Sequence, residues 1–403
     1  MPTDYLNIVA LYIVVGTGSR NEVEPGKSGF AHLFEHLMFR GTPDFSPERY
    51  QSELSKAGAA SNAFTTDDFT AYHTTFSKED LPRILSMEAD RFRHLAYDQP
   101  AFKTETLAVL GEYNKNSASP TSKLFETIRA TAFKKHTYQH TTMGFVEDIE
   151  AMPNEYDYSR QFFDRYYRPE YTTIIVAGDV DPKRIRSLVD EHWGSWKKGS
   201  FRPEIPTEPP QDGPRHAHVD WSSPTLPWVA VSYHGPAYDD NSEETAALDA
   251  ISRLGFDDNS PLYQKLVIEQ QKVDTLLADP PNHIDPELFT VFARVKKEED
   301  LAGIEQQIIA AAEGFATKPV DRVALDALKA HLRYEFALSL DDSESVARTV
   351  AEYVALRRNP ATIDRYYDAY SKLTQEDIQR AAQKYLMERS RTVVTLSAKG
   401  AAK

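Results

Sequence analysis

The chain has 403 residues, 41% hydrophobic and 27% charged, and its 61 acidic against 46 basic side chains leave a net charge of −15. That length exceeds one ordinary hydrophobic core, so at least two domains are expected, and the acidic balance argues against a nucleic-acid or anionic-membrane partner. With no cysteine, disulfides, thiolate metal sites and cysteine catalysis are excluded, and any metal must be held by His, Asp or Glu. No stretch approaches the ~20 consecutive apolar residues of a membrane span, and no signal peptide is visible at Met1-Pro2-Thr3-Asp4-Tyr5.

Residues 7–15 are an apolar run ending at Gly16 and predict a strand covered on both faces. A helix is expected over about 31–39, with Gly41 available to end it. Ser46-Pro47 makes a cap and first turn for a helix ending near Gly58. Residues 61–76, rich in Thr, Phe and Tyr, read as one strand near an edge, because two aspartates interrupt it. Helices of about 80–94 and 100–117 follow, then a strand at 174–178 and an amphipathic helix over 182–193.

Pro203, Pro206, Pro209, Pro210 and Pro214 make residues 201–215 a linker without regular structure. It divides an N-terminal domain, 1–200, from a C-terminal one, 216–403. The second half again alternates strands (about 228–234, 274–278, 289–295, 392–398) with helices (about 242–254, 301–314, 322–338, 343–356, 374–386). The fold class expected is α+β: two homologous mixed α/β domains, each a sheet with helices packed on one side.

Chemistry concentrates in His32-Leu33-Phe34-Glu35-His36. Successive helical residues advance about 100°, so His36 lies about 40° from His32 and Glu35 about 60° on its other side. Two imidazoles one turn apart can hold two corners of a zinc tetrahedron, and the adjacent carboxylate can take a proton from a water on the metal. A third ligand must come from elsewhere. Glu105 and Glu112 lie seven apart on the helix at 100–117, nearly the same azimuth about 10 Å apart. Both can point to one site; one would be the ligand and the other would orient a ligand or the water.

His-x-x-Glu-His followed by Glu-x6-Glu resembles the signature of the inverted-zincin peptidases, the pitrilysin and mitochondrial processing peptidase family. The stretch from Gly26 to Thr42 is similar to that family's motif helix almost residue for residue, and Glu112 falls 76 positions after His36, where the resemblance puts the third ligand. Asn62-Ala63-Phe64-Thr65 before Asp68-x-Thr70, and Phe163-x-x-Tyr166-Tyr167-x-Pro169, are further matches. The resemblance implies a zinc endopeptidase with one Zn2+ per chain on His32, His36 and Glu112, Glu35 as general base and Glu105 in support. It also implies that peptide substrate adds as a strand to the edge at about Ser61–Thr70, with Asn62, Ala63 and Phe64 nearest the metal.

Two other histidines four apart, His136 and His140, have Gln139 in place of a base and resemble the family's structural His-Pro-Tyr loop, so they are read as structural. The family's second half carries an Arg and a Tyr that reach the substrate; here those positions hold Pro261 and Asp274. The resemblance then implies a catalytic subunit that borrows the pair from a homologous partner, with a homodimer as the alternative, each chain forming half of a clamshell around the peptide. The absence of cysteine fits a periplasmic protein, with cytoplasm or mitochondrial matrix as alternatives. The rival readings are a non-catalytic core homologue that binds peptides, and a zinc lyase acting on a small molecule.

Overall fold

The computed structural model describes residues 1–400. Its N-terminal half runs β1 (Ile8–Val15), α1 (Phe30–Leu37), α2 (Pro47–Lys56), β2 (Ala60–Thr65), β3 (Thr70–Ser77), α3 (Leu81–His94), α4 (Gln99–Ser117), α5 (Pro120–Ala132), α6 (Val146–Ala151), α7 (Tyr156–Tyr166), β4 (Thr172–Gly178) and α8 (Pro182–Trp193). The remainder runs β5 (Arg215–Trp221), β6 (Trp228–His234), α9 (Glu243–Phe256), a single turn α10 (Pro261–Tyr263), β7 (Val273–Asp279), β8 (Leu288–Val295), α11 (Leu301–Gly314), α12 (Arg322–Leu338), α13 (Ser343–Arg357), α14 (Ala361–Lys372), α15 (Gln375–Tyr385) and β9 (Arg391–Ala398).

Two compact units result. The first comprises Met1–Lys115, His140–Pro206 and Phe336–Pro360; the second comprises Asn116–Gln139, Thr207–Glu335 and Ala361–Lys403. The break at Pro206 falls inside the expected proline-rich linker, but the units are not the contiguous stretches 1–200 and 216–403. Each half of the chain gives one helix to the other unit, α13 to the first and α5 to the second.

Burial explains the exchange. The first sheet has the order β2-β3-β1-β4, all antiparallel. On one face Val9, Leu11, Ile13, Tyr72 and Phe76 pack into a core with α1, α3 and α7. On the other, Tyr12 stacks on His73, and α13 lies across β1 and β4, where its Glu344 accepts from Thr75 Oγ1 at 3.1 Å. This is why β1 is buried at nearly every position. The second sheet, β5-β9-β6-β8-β7, repeats the device. Val229, Val231, Phe289, Val291 and Val393 face the core built with α9, α11 and α15. Ala230, Phe292, Val394 and Leu396 instead meet Leu124 and Ile128 of α5.

Residues 61–76 form a hairpin rather than one strand. Thr66–Phe69 is the turn: Thr66 N donates to Phe69 O at 2.8 Å, and Thr66 Oγ1 accepts from the N–H groups of Asp68 and Phe69 at 3.2 and 3.0 Å. The two aspartates are buried turn residues, Asp67 accepting from Ser19 Oγ at 2.8 Å. The edge is therefore β2 alone, bonded to β3 on one side.

Candidate metal centre

α1 is held at both ends. Its N-cap is Gly29 at φ +88, where a Cβ would lie 2.7 Å from the Met143 carbonyl oxygen, so only glycine fits. A glycine cap has no side chain to satisfy the first-turn N–H groups. Glu22 does so instead: its Oε2 accepts from Gly29 N and its Oε1 from Ala31 N, each at 2.7 Å. Glu22 is fully buried, and burial pushes its pKa up to about 8 although both N–H groups favour the charged form. The buried His140 stands behind it, Nδ1 3.9 Å from the same carboxylate. Further along, Tyr72 Oη donates to the Phe34 carbonyl at 3.0 Å, and Phe34 stacks on Phe162 and Phe163. With Phe30, Leu33, Phe34 and Leu37 in the core, the opposite side of the helix presents His32, Glu35 and His36.

The Nε2 atoms of His32 and His36 each lie 3.6 Å from Glu112 Oε2, and the two rings stand nearly perpendicular with centroids 5.0 Å apart. These three residues form the one His/Asp/Glu cluster with metal-ligand spacing among the described residues. Zinc bonds of ~2.1 Å at tetrahedral angles separate ligand atoms by ~3.4 Å. The donor set and its spacing thus fit zinc. Burial, with a smaller contribution from His36, lowers the pKa of His32 to about 4, so at neutral pH its ring is uncharged, as a metal ligand must be.

Glu105, the other acidic residue on this face of α4, does not join the cluster. It is buried, and its Oε2 lies 3.2 Å from His36 Nδ1 while its Oε1 pairs with the Arg40 guanidinium. Glu35 projects beside the cluster, half-buried, and its Oε2 accepts from Thr65 Oγ1 at 2.7 Å. Burial raises its pKa, an effect opposed by the Thr65 hydroxyl.

Of the residues expected nearest the metal on β2, Asn62 is exposed, Ala63 is buried in the core, and Phe64 packs toward Phe69 and His73. Strand alternation turns Asn62 and Phe64 away from α1, and the side chain that meets Glu35 is Thr65. His136 and His140 are buried apart in separate units; His136 Nε2 lies 3.0 Å from Asp285 Oδ2. In the second unit, Pro261 occupies the first helical position after the Ser260 cap, and Asp274 is paired with Arg294 at 2.7 Å. No pattern in the sequence points to Glu22, and Arg40 and Thr65 stand there only as members of longer motifs.

A model of the insulinase family, peptidase family M16, matches residues 3–145, and a model of the M16 inactive domain matches residues 155–332. The chain is 29% identical over 395 residues to the zinc protease PqqE of Helicobacter pylori, covering 96% of this chain and 87% of that protein. It is 22% identical over 397 residues to the mitochondrial-processing peptidase subunit beta of Blastocladiella emersonii, covering 95% and 82%. The crystal structure of a protease from Helicobacter pylori superposes with a TM-score of 0.90 at 28% identity, over 98% of this chain and 95% of that one.

Proposed function

The chain belongs to peptidase family M16, the insulinase family, and from that membership we propose that it is a zinc-dependent endopeptidase acting on short or unfolded peptides. The observation that carries the reading is the convergence of His32 Nε2, His36 Nε2 and Glu112 Oε2 with the Glu35 carboxylate alongside. His32, His36 and Glu112 would hold the metal, which supplies Lewis acidity toward the scissile carbonyl and an attacking water. Glu35 takes the proton of that water as the new C–O bond forms, then gives it to the amide nitrogen as the C–N bond breaks. One carboxylate serves both halves of the task because it keeps the proton it takes from the water until the nitrogen leaves. Thr65 fixes the rotamer of that carboxylate. The free edge of β2 would take the substrate as an added strand, so main-chain hydrogen bonds supply affinity with little sequence preference.

The reading includes a partner. Pro261 and the Arg294-paired Asp274 stand where the family carries an Arg and a Tyr directed at the substrate, so we place those two groups on a homologous subunit, and the pair in the periplasm; a homodimer is the alternative assembly, and its copies would work without them. The intact motif favours a catalytic chain over a non-catalytic core homologue. Loss of one donor to a developing oxyanion typically costs ~10²–10³ in rate, so the isolated chain should bind zinc and cleave peptides weakly, gaining activity with the partner. Zinc analysis and a peptide digest, with and without that partner, test this. A zinc-loaded chain inert in both would leave only the binding homologue; full activity alone would remove the partner.

A further inference from the structure

Behind His36 lies a second layer that is not symmetrical between the two imidazoles. His32 Nδ1 is buried with no hydrogen-bond partner, whereas His36 Nδ1 faces Glu105 Oε2 at 3.2 Å. Glu105 is nearly inaccessible, yet its other oxygen meets the guanidinium of Arg40, which is itself about one-third exposed. Local backbone puts Arg40 there. Beyond Leu37 the helix tightens, Phe39 N donating to His36 O at 3.1 Å and Arg40 N to Leu37 O at 2.9 Å, and Gly41 at φ +92 turns the chain away. Arg40 thus sits four residues on from His36, over the same side.

We infer that Arg40 is a positioning residue for the metal site, acting through Glu105 on the orientation and tautomer of His36; this rests on the zinc reading of that site. A carboxylate shared with a guanidinium cannot turn to follow the imidazole, so it fixes where the ring must sit. As an acceptor it requires the proton on Nδ1, which leaves the lone pair on Nε2, the atom nearest Glu112. Charge points the same way. Glu35, Glu105 and Glu112 bring three carboxylates to one small volume, a dication offsets two, and Arg40 supplies the third positive charge. Because the guanidinium remains partly in water, its desolvation cost is small while Glu105 gains a charge-assisted partner.

The test measures zinc affinity by competition with a chromophoric chelator. Arg40→Gln should weaken binding by ~10-fold or more, the usual effect of removing such a partner, while Arg40→Lys, which keeps the charge, should stay within ~3-fold of wild type. In a Glu105→Gln background, Arg40→Gln should cost nothing further, since its route to the metal is already cut. An unchanged affinity in Arg40→Gln, or an equal loss in both backgrounds, would overturn the assignment. Should Arg40→Gln not fold, Arg40→Met with and without Glu105→Gln carries the same comparison: a loss of affinity only where Glu105 is intact supports the inference, and no loss or equal losses refute it. A wild-type chain that binds no zinc would defeat the zinc reading itself, whereas zinc-binding wild type with an indifferent Arg40→Gln defeats only this step.

Discussion

The hydroxyl of Thr65 donates to Glu35 Oε2 at 2.7 Å, joining the last residue of an exposed sheet edge to the proposed general base. A peptide laid along β2 would therefore end beside the carboxylate that must act on it. Glu35→Gln keeps the shape and can still accept from Thr65, but cannot take a proton. It should retain zinc and lose ~10²-fold or more in kcat. Turnover near wild type would remove Glu35 from the mechanism.

Glu112 and Glu105 should separate cleanly. Glu112 Oε2 stands 3.6 Å from both Nε2 atoms, while Glu105 addresses the back of His36. Metal analysis should find that His32→Ala, His36→Ala and Glu112→Gln each lose most of the zinc, and that Glu105→Gln keeps it with ~10–100-fold weaker affinity. Full retention in Glu112→Gln with loss in Glu105→Gln would exchange the two roles.

Glu22 should leave a signature in stability against pH. Its pKa is raised from an ordinary value near 4.5 to about 8 by burial. Between those values the unfolded chain releases this proton and the folded chain retains it. The stability that the protonated group contributes is therefore present below about pH 4.5 and is lost as pH rises through about 8. Glu22→Gln cannot titrate, so thermal midpoints of the metal-free variant should fall less between pH 5 and 8. At pH 5 the variant should be less stable by ~1–3 kcal/mol, because an amide satisfies only one of the two N–H groups on α1. Parallel midpoint curves for the two proteins would count against this titration.

The free edge of β2 predicts what a ligand must offer. A peptide with alternate backbone amides N-methylated loses a ladder bond at each site, at ~1 kcal/mol apiece, and should inhibit or bind correspondingly less well. Equal binding of methylated and unmethylated peptides would mean that side-chain pockets, not strand pairing, govern recognition.

What was legible in the sequence was local. His32, Glu35 and His36 share one helix, so their common side follows from helical geometry, and Glu112 and Glu105 follow from the same rule on α4. Residues 61–76 predict one strand when Thr65-Thr66 and the two aspartates count as polar interruptions, but Thr-Thr-Asp-Asp between two apolar runs is also a turn cluster, and Asp67 finds its partner at Ser19, 48 residues away. Glu22 lies in a loop with no periodicity, and only the folded approach of Gly29 and Ala31 shows that it caps a helix. The sequence patterns predict none of the helices α5, α6, α7, α10 and α14, and the assignment of α5 and α13 to opposite units depends on which sheet face needs covering, which no window of sequence reports.

That exchange bears on how the chain is made. During synthesis the β1–β4 sheet is assembled from residues that emerge early, yet the helix that closes its second face, Ser343–Arg357, leaves the ribosome only near the end. Until then the face of β1 that carries Ala10, Tyr12 and Val14 lacks the helix that lies across it. The first unit can complete its fold only after translation has passed through most of the second, so the nascent chain carries an open apolar sheet face for over a hundred residues of synthesis. A fragment ending at Pro206 should accordingly aggregate, and a separate peptide spanning 336–360 should improve its solubility.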